Sequence, residues 1–387
     1  MPITPAPYTQ YGGVWNLTSQ SQAQGAGTWP NQKFPHLFAW GTNSYGQLGL
    51  NNTNNYSSPK QVGSLTNWSS VSGGFYTSGA IKTDGTLWMW GIGIYGGLGL
   101  GNTTYYSSPI QVGALTTWSK LSVGAFYAIA IKTDGTLWSW GYNNYGQLGL
   151  NNITFYSSPK QVGSLTNWSS VSTGYNGAYA IKSDGTLWSW GRNQYGQLGL
   201  GTSGAGTQIS SPAQVGSLTN WLSVVAGFYH ALATKTDGTL WAWGFNNNGQ
   251  LGLNNRTFYS SPKQVGLLTN WLTLSGGTYL SGAIKTDGTL WTWGTGANGG
   301  LGLGNTTSYS SPKQVGSLSN WKSIIVFQYF GIATKTDNTL WSWGNNVYGK
   351  LGLGNTTYYS SPKQVGSLTT WLSASAGQYH VLAIAQT

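Results

Sequence analysis

The sequence predicts an all-β protein: a seven-bladed β-propeller closed by pairing of its N- and C-terminal strands, with an extended N-terminal arm. Three observations carry this reading. A Trp-Gly step recurs at Trp40, Trp90, Trp140, Trp190, Trp243, Trp293 and Trp343, a period of 50 residues stretched once to 53, and a fixed period of this size marks a repeat architecture. Each period alternates short β-prone runs with Gly, Asn, Asp and Pro, and helical periodicity is missing. The two chain ends each hold half of the same hairpin.

The arm comes first. Residues 1–35 do not match the repeat and are rich in Pro, Gln, Ser, Thr and Gly, which predicts an extended segment without a core of its own. Its aromatics, Tyr8, Tyr11, Trp15 and Trp29, are candidate anchors on a neighbouring subunit.

Residues 36–387 form the ring. In a typical repeat, Ala128-Ile-Ala-Ile-Lys132 and Thr136-Leu-Trp-Ser-Trp140 flank Asp134-Gly135. Asp-Gly between apolar runs predicts a hairpin with a tight two-residue turn, because Gly accepts positive φ. Asp337-Asn338 fits that turn less well. Side chains alternate along a strand, so Trp138 and Trp140 share a face. A Gly-rich loop, Tyr145-Gly-Gln-Leu-Gly-Leu150, then Ser157-Ser-Pro-Lys-Gln-Val162 and Ser169-Ser-Val-Ser172 complete three or four strands, the content of one blade. The fourth repeat carries the only length change, three extra residues within 201–210, enough for a longer loop and too few for a domain. The chain starts its ring at His36-Leu-Phe-Ala-Trp-Gly41 and ends at His380-Val-Leu-Ala-Ile-Ala-Gln-Thr387. Pairing these segments completes the seventh blade and leaves few open edges.

Composition narrows the function. All but two of the 22 tryptophans lie in the repeats, so the core needs no disulfide, and there is no cysteine. There is no apolar run long enough to span a bilayer, and the start lacks the basic and apolar blocks of a secretory signal. Membrane insertion is not expected. Net charge is +11 although only 6% of residues are charged. All acids are the turn aspartates Asp84, Asp134, Asp184, Asp237, Asp287 and Asp337. Six lysines precede them by two residues, from Lys82 to Lys335, and five more follow the repeat proline, Lys60, Lys160, Lys263, Lys313 and Lys363; this spread is expected to form a solvated ring. Nucleic-acid binding needs a concentrated basic patch, which this spread does not offer.

The same spread argues against an enzyme. One acid per blade gives no carboxylate pair. The three histidines are not spaced as metal ligands, although His36 and His380 both belong to the closing blade. No Gly-x-Ser-x-Gly elbow occurs, and the Gly-rich loops precede no helix that would cradle phosphate. No catalytic residue, metal or cofactor is expected.

Recognition remains. Against near-identical repeats, two segments vary: the residue after Trp-Gly, and the loop before the Ala-Ile-Lys strand. The second supplies a ring of aromatics on one face, and its candidate ligand-binding residues are Phe75, Tyr76, Phe126, Tyr127, Tyr175, Phe228, Tyr229, His230, Tyr279, Tyr329, Phe330, Tyr379 and His380. Tyr and Phe beside Asn, Gln and Thr suit a protein surface or a glycan, or they pack the top of the channel.

The recurring Asp-Gly-Thr-Leu-Trp-Ser-Trp-Gly-x-Asn-x-Tyr-Gly-Gln-Leu-Gly-Leu-Gly, followed by Ser-Pro-x-Gln-Val, resembles the regulator of chromosome condensation repeat family. The resemblance covers residues 36–387 and implies a seven-bladed propeller closed through its chain ends. Its eukaryotic founder implies a small-GTPase exchange factor that docks on chromatin through an inserted wedge and tails, and no matching insertion appears here. Of the family's Gly-x-x-His-Thr motif, only His230 and His380 keep the histidine. Bacterial members resemble secreted propellers that bind and inhibit a partner enzyme.

The expectation is therefore a non-enzymatic structural or recognition module. The Asn, Gly, Ser, Thr and Tyr bias is similar to that of virion surface proteins. It favours a bacteriophage tail or capsid component, anchored to other virion proteins by its arm and facing a cell-surface glycan or protein receptor. The expected location is a virion or extracellular surface, otherwise the cytoplasm. A soluble or secreted bacterial propeller that inhibits or scaffolds a partner is the alternative, and a small-GTPase exchange factor a further one.

Overall fold

A computed structural model describes residues 33–387. The expected arm anchors Tyr8, Tyr11, Trp15 and Trp29 lie outside the described residues. The remainder forms seven four-stranded antiparallel sheets. Blades 1 to 6 span residues 68–111, 118–161, 168–214, 221–264, 271–314 and 321–364, and blade 7 joins 371–386 to 35–61.

Blade 3 shows the plan. Its inner strand Trp168–Thr173 pairs with Gly177–Lys182, then Leu187–Gly191, then the outer strand Ile209–Gln214. The second and third strands are buried almost throughout, whereas the outer strand is half exposed. Every outer strand carries Pro at its fourth position, Pro59 to Pro362, and a missing N–H there costs nothing on an edge.

The Asp-Gly turn is one residue longer than expected. The amide of Lys82 donates to the Thr86 carbonyl at 3.0 Å and Gly85 to the Lys82 carbonyl at 2.9 Å, which leaves a three-residue loop with Gly85 at φ 76°. This is the turn-plus-left-handed-residue hairpin. Asn338 takes the same place at φ 58°. The extra residue has a use: Asp84 accepts from the Thr86 amide at 2.9 Å and hydroxyl at 2.7 Å, and that hydroxyl accepts from Trp88 Nε1 at 2.9 Å. The relay recurs in six blades and explains the Asp-Gly-Thr-Leu-Trp spelling.

Of the expected solvated ring, the five lysines after the repeat proline are exposed, but the six before these turns are not. Each ammonium lies 3.6–4.9 Å from the ring centre of its third-strand tryptophan and 4.9–5.2 Å from that of the inner-strand tryptophan. They are buried or half-buried. A cation between two indole faces is held by their quadrupoles, while the aliphatic stem packs below.

Blades are stitched to their neighbours by the Trp of each Trp-Gly step. Trp90 donates to the Gln47 carbonyl, Trp140 to Gly97, Trp190 to Gln147, Trp243 to Gln197, Trp293 to Gln250 and Trp343 to Gly300, all at 2.8–3.1 Å with the indole fully buried. Around the channel, inner-strand serines add a second stitch. Ser72 accepts from the Val123 amide and Ser122 from Thr173, each at 3.0 Å. Ser172, Ser275 and Ser375 do likewise with Ala226, Val326 and Gly73.

The chain ends pair as expected. Pro35–Gly41 runs antiparallel to His380–Gln386, with Leu37 opposite Ile384 and Trp40 opposite Val381. His36 and His380 lie at opposite ends of this pairing, opposite Ala385 and Gly41 respectively, so they form no common site.

Candidate functional site: the aromatic loop face

Topology places two sets of loops on one face: those joining inner to second strands, and those after Trp-Gly joining third to outer strands. The Asp-Gly turns and the Ser-Leu-Thr loops lie at the opposite end of each blade. The first face therefore carries no carboxylate among the described residues.

The expected ring of aromatics is three concentric sets, not one. At the axis, Phe75 lies 5.7 Å from Tyr175 and 5.8 Å from Phe228, ring centre to ring centre, although these belong to blades two and three away. Tyr175 and Phe228 stack at 4.3 Å. The far half of the mouth is polar, with Gln378 Nε2 donating to Gln328 Oε1 at 3.2 Å. Beneath the rings, glycines such as Gly74 and Gly174 line a cavity of about 40 Å³, room for a few waters at most. These aromatics plug the channel and also form its outer surface.

The next set is Tyr76, Phe126, Tyr229, Tyr279, Tyr329 and Tyr379, all half-buried. Tyr76 stacks on Tyr379 at 5.5 Å, and its hydroxyl pKa is pushed up to about 12, first by burial and then by Tyr379. Tyr229 and Tyr329 are shifted up by burial in the same way.

The third set is core. Tyr127, His230, Phe330 and His380 open the second strands and are buried at 0–1% exposure. Because side chains alternate, the residue after the half-exposed one turns inward between blades. These four therefore line no ligand surface. The His230 ring donates from Nε2 to Ser281 Oγ at 2.9 Å, and Ser281 donates to the Gln250 carbonyl at 2.7 Å. His380, Ser78 and Gln47 repeat this at 2.8 and 2.7 Å. Burial drives both imidazole pKa values down to about 3. No aspartate joins either pair among the described residues, so no catalytic relay forms.

Sequence reasoning missed the outermost aromatics. Tyr45, Tyr95, Tyr105, Phe155, Phe258, Tyr348 and Tyr358 are exposed, and most join the inner sets through edge and tilted contacts. Tyr45 meets Tyr76 at 4.9 Å and Tyr105 at 5.9 Å, and Tyr95 meets Phe126 at 5.9 Å and Tyr142 at 4.9 Å. Tyr195 and Phe245 bridge Tyr229 to Phe258. The residues after Trp-Gly thus divide: Tyr142 and Phe245 join the surface, whereas Thr42, Ile92, Thr295 and Asn345 are buried.

Tyr95 and Tyr348 sit in left-handed backbone at φ 58° and 65°, a conformation that bulky residues avoid. The cause is two residues downstream. Gln47, Gln147 and Gln197 accept through Oε1 from the amides of Tyr45, Tyr145 and Tyr195 at 2.8–3.0 Å. Gly97, Gly300 and Lys350 replace that glutamine, and there the residue two positions earlier flips to positive φ, including Asn298 at 57°. Three cations mark the face, Arg192, Arg256 and Lys350, and Arg256 is the exposed one. Arg192 lies 5.0 Å over Tyr145. Lys350 is 2% exposed, with its ammonium 4.7 Å from the Phe330 ring and 5.8 Å from Tyr379, and burial lowers its pKa to about 8.

Known family repeats match the chain in a frame offset from the blades, each match starting at the third strand of one blade and ending in the next. The regulator of chromosome condensation (RCC1) repeat matches residues 36–81, 84–131, 134–181, 184–234, 237–284, 287–327 and 337–384. A second description of the same repeat matches 118–147, 168–197 and 221–250. No curated protein matches the chain. Among solved structures, Prp20p of Saccharomyces cerevisiae, described with its binding to Gsp1p and histones, superposes with TM-score 0.82 at 20% identity over 92% of each chain. Human WBSCR16 gives 0.80 at 20% identity over 91% of this chain and 99% of its own. Yeast RCC1 (Prp20) bound to Kap60 gives 0.82 at 18% identity over 100% and 96%. At these identities the likeness is one of fold.

Proposed function

Since this chain belongs to the regulator of chromosome condensation repeat family, we propose that it is a non-enzymatic recognition module that receives a protein partner on its aromatic loop face. One observation carries this reading: exposed and half-buried aromatics connect across the face, and two of them, Tyr95 and Tyr348, are held out on left-handed backbone. Exposed aromatic patches mark interaction sites, and rigid Tyr and Phe give contact area at low entropic cost. Backbone strain of order 1–3 kcal/mol persists where function uses it. With half-buried Arg192 and exposed Arg256 as its accessible cations and no carboxylate among the described residues, the face favours a partner surface that is neutral or acidic. Yeast propellers of this fold are described with the protein partners Gsp1p, histones and Kap60, which supports a protein partner over a small substrate.

The setting we favour within this reading is a virion surface, with residues 1–35 as the tether. Scarce charge, missing cysteine and glutamate, and the Asn, Ser, Thr and Tyr bias support it. Deleting residues 2–30 should then abolish incorporation into particles while leaving a folded ring. Unchanged incorporation would remove the tether.

The face itself is tested by Tyr95→Asn with Tyr348→Asn, the residue that blade 5 carries as Asn298. Asn tolerates positive φ, so thermal stability should hold or rise. Comparative affinity capture, wild type against this variant, should lose its specific partner. An unaltered set of captured proteins would contradict the proposal.

A further inference from the structure

At the junction of blades 6 and 7, the aromatic face holds a charge that nothing balances among the described residues. Lys350 is 2% exposed, and its ammonium lies 4.7 Å from the Phe330 ring and 5.8 Å from the Tyr379 ring. Among the described residues it donates no hydrogen bond and meets no carboxylate, and burial alone lowers its pKa to about 8. An unpaired buried charge is expensive.

The turn lysines do not share this position. Lys132 sits between two indoles, at 5.1 and 3.6 Å, and the Asp134 carboxylate favours its charge. Lys182, Lys235 and Lys285 repeat that arrangement. Lys350 also stands alone in the repeat. Its place holds Gln47, Gln147, Gln197 and Gln250 in four blades and Gly97 and Gly300 in two. Either residue avoids burying a charge, and each Gln also accepts from the amide two residues upstream. Blade 6 therefore keeps a costly residue that six blades do without, and such costs are retained at sites that function uses.

We propose, taking the aromatic face as the partner site, that Lys350 is its specificity anchor and pairs with the carboxylate of an Asp or Glu on the partner. The four-carbon stem of lysine is flexible, so the ammonium reaches a carboxylate at the surface by turning about that stem. Pairing removes the cost of the lone charge. Around the junction, exposed Tyr348 and the stacked pair Tyr76 and Tyr379 give contact area to the residues beside the acid. A phosphate is the poorer fit. Arginine forks match its oxygens best, and Arg192 and Arg256 belong to blades 3 and 4, away from this junction.

The test pans a displayed library of short random peptides on the full chain and measures the enriched sequences as free synthetic peptides. Those that wild type binds and the Tyr95→Asn, Tyr348→Asn variant releases report the face, and they should share an Asp or Glu. Lys350→Gln, and replacement of that acid by its amide, should each weaken binding by about thirty-fold or more. The two changes together should weaken it no further than either alone. Thermal unfolding of Lys350→Gln at or above wild type shows that the variant is folded. Face-binding peptides that lack an acid, or that hold Lys350→Gln as tightly as wild type, would overturn the anchor and leave the face in place. Losses that multiply in the combined change would also overturn it. Peptides indifferent to the tyrosine changes would overturn the face itself, and the anchor with it.

Discussion

Trp40 Nε1 donates to the Lys350 carbonyl at 3.0 Å, across 310 positions of sequence. It is the same bond that every other Trp-Gly tryptophan makes to the loop of the preceding blade. Blade 7, built from both chain ends, is therefore docked like the six continuous ones. Replacing Trp40 by Phe leaves a buried carbonyl unpaired, which costs about 1–3 kcal/mol. Chemical denaturation should show a loss for Trp40→Phe close to that for Trp140→Phe at an ordinary junction. A much smaller loss would mean that the closing junction is the weaker one.

Lys350 carries a second expectation. Its pKa falls from 10.5 to about 8 because the ammonium is buried, equivalent to roughly 3 kcal/mol. Between pH 8 and 10.5 the unfolded chain binds the proton and the folded chain does not, so stability rises with pH through that window. Lys350→Gln restores the residue found at Gln47, Gln147, Gln197 and Gln250 and an acceptor for the Tyr348 amide. It should raise stability at pH 7 and flatten that rise, as read by denaturation at pH 7, 8 and 10.

The buried histidines act at the acid end. His230 and His380 have folded pKa values near 3 against an ordinary 6.5. Below pH 6.5 the unfolded chain takes up protons that the folded chain refuses. Stability therefore falls between pH 6.5 and 3, by up to about 4 kcal/mol per histidine. His380→Phe mimics Phe330 at the equivalent place in blade 6 and should remove about half of that loss. An acid profile identical to wild type would contradict the burial.

The lysine sandwich is a third lever on stability. Lys182→Met keeps the stem and removes the charge between Trp168 and Trp188, at a cost of about 0.5–2 kcal/mol. Thermal unfolding of that variant against wild type measures it. No change would show that the stem, not the ammonium, is what the indoles hold.

Much of this was legible in the residues. The 50-residue period and the split hairpin gave the blade number and the seam, because both depend on repetition that needs no energetics. The two-residue turn failed because Asp84 also binds Thr86, a side-chain preference that outweighs the shorter loop. The lysines misled because charge normally means solvent, yet a signal was present. Blade 7 alone lacks the third-strand tryptophan, having Phe38 there, and it alone lacks the lysine, having Ala385. For the candidate site, the face was legible from loop position, but which of three adjacent loop residues points outward was not. That depends on where the second strand begins, at Tyr127 or His230, one residue after the exposed position. The Gln-dependent flip at Tyr95 and Tyr348 needs backbone angles that no sequence pattern supplies.

The partner face depends on a closed ring, and native-state hydrogen exchange across its seam tests that closure most directly. The amides of Leu37 to Trp40 and Val381 to Ala385 should be as protected as their counterparts in Leu240–Gly244 and His230–Lys235. Rapid exchange at the seam, with the other six blades still protected, would contradict the account.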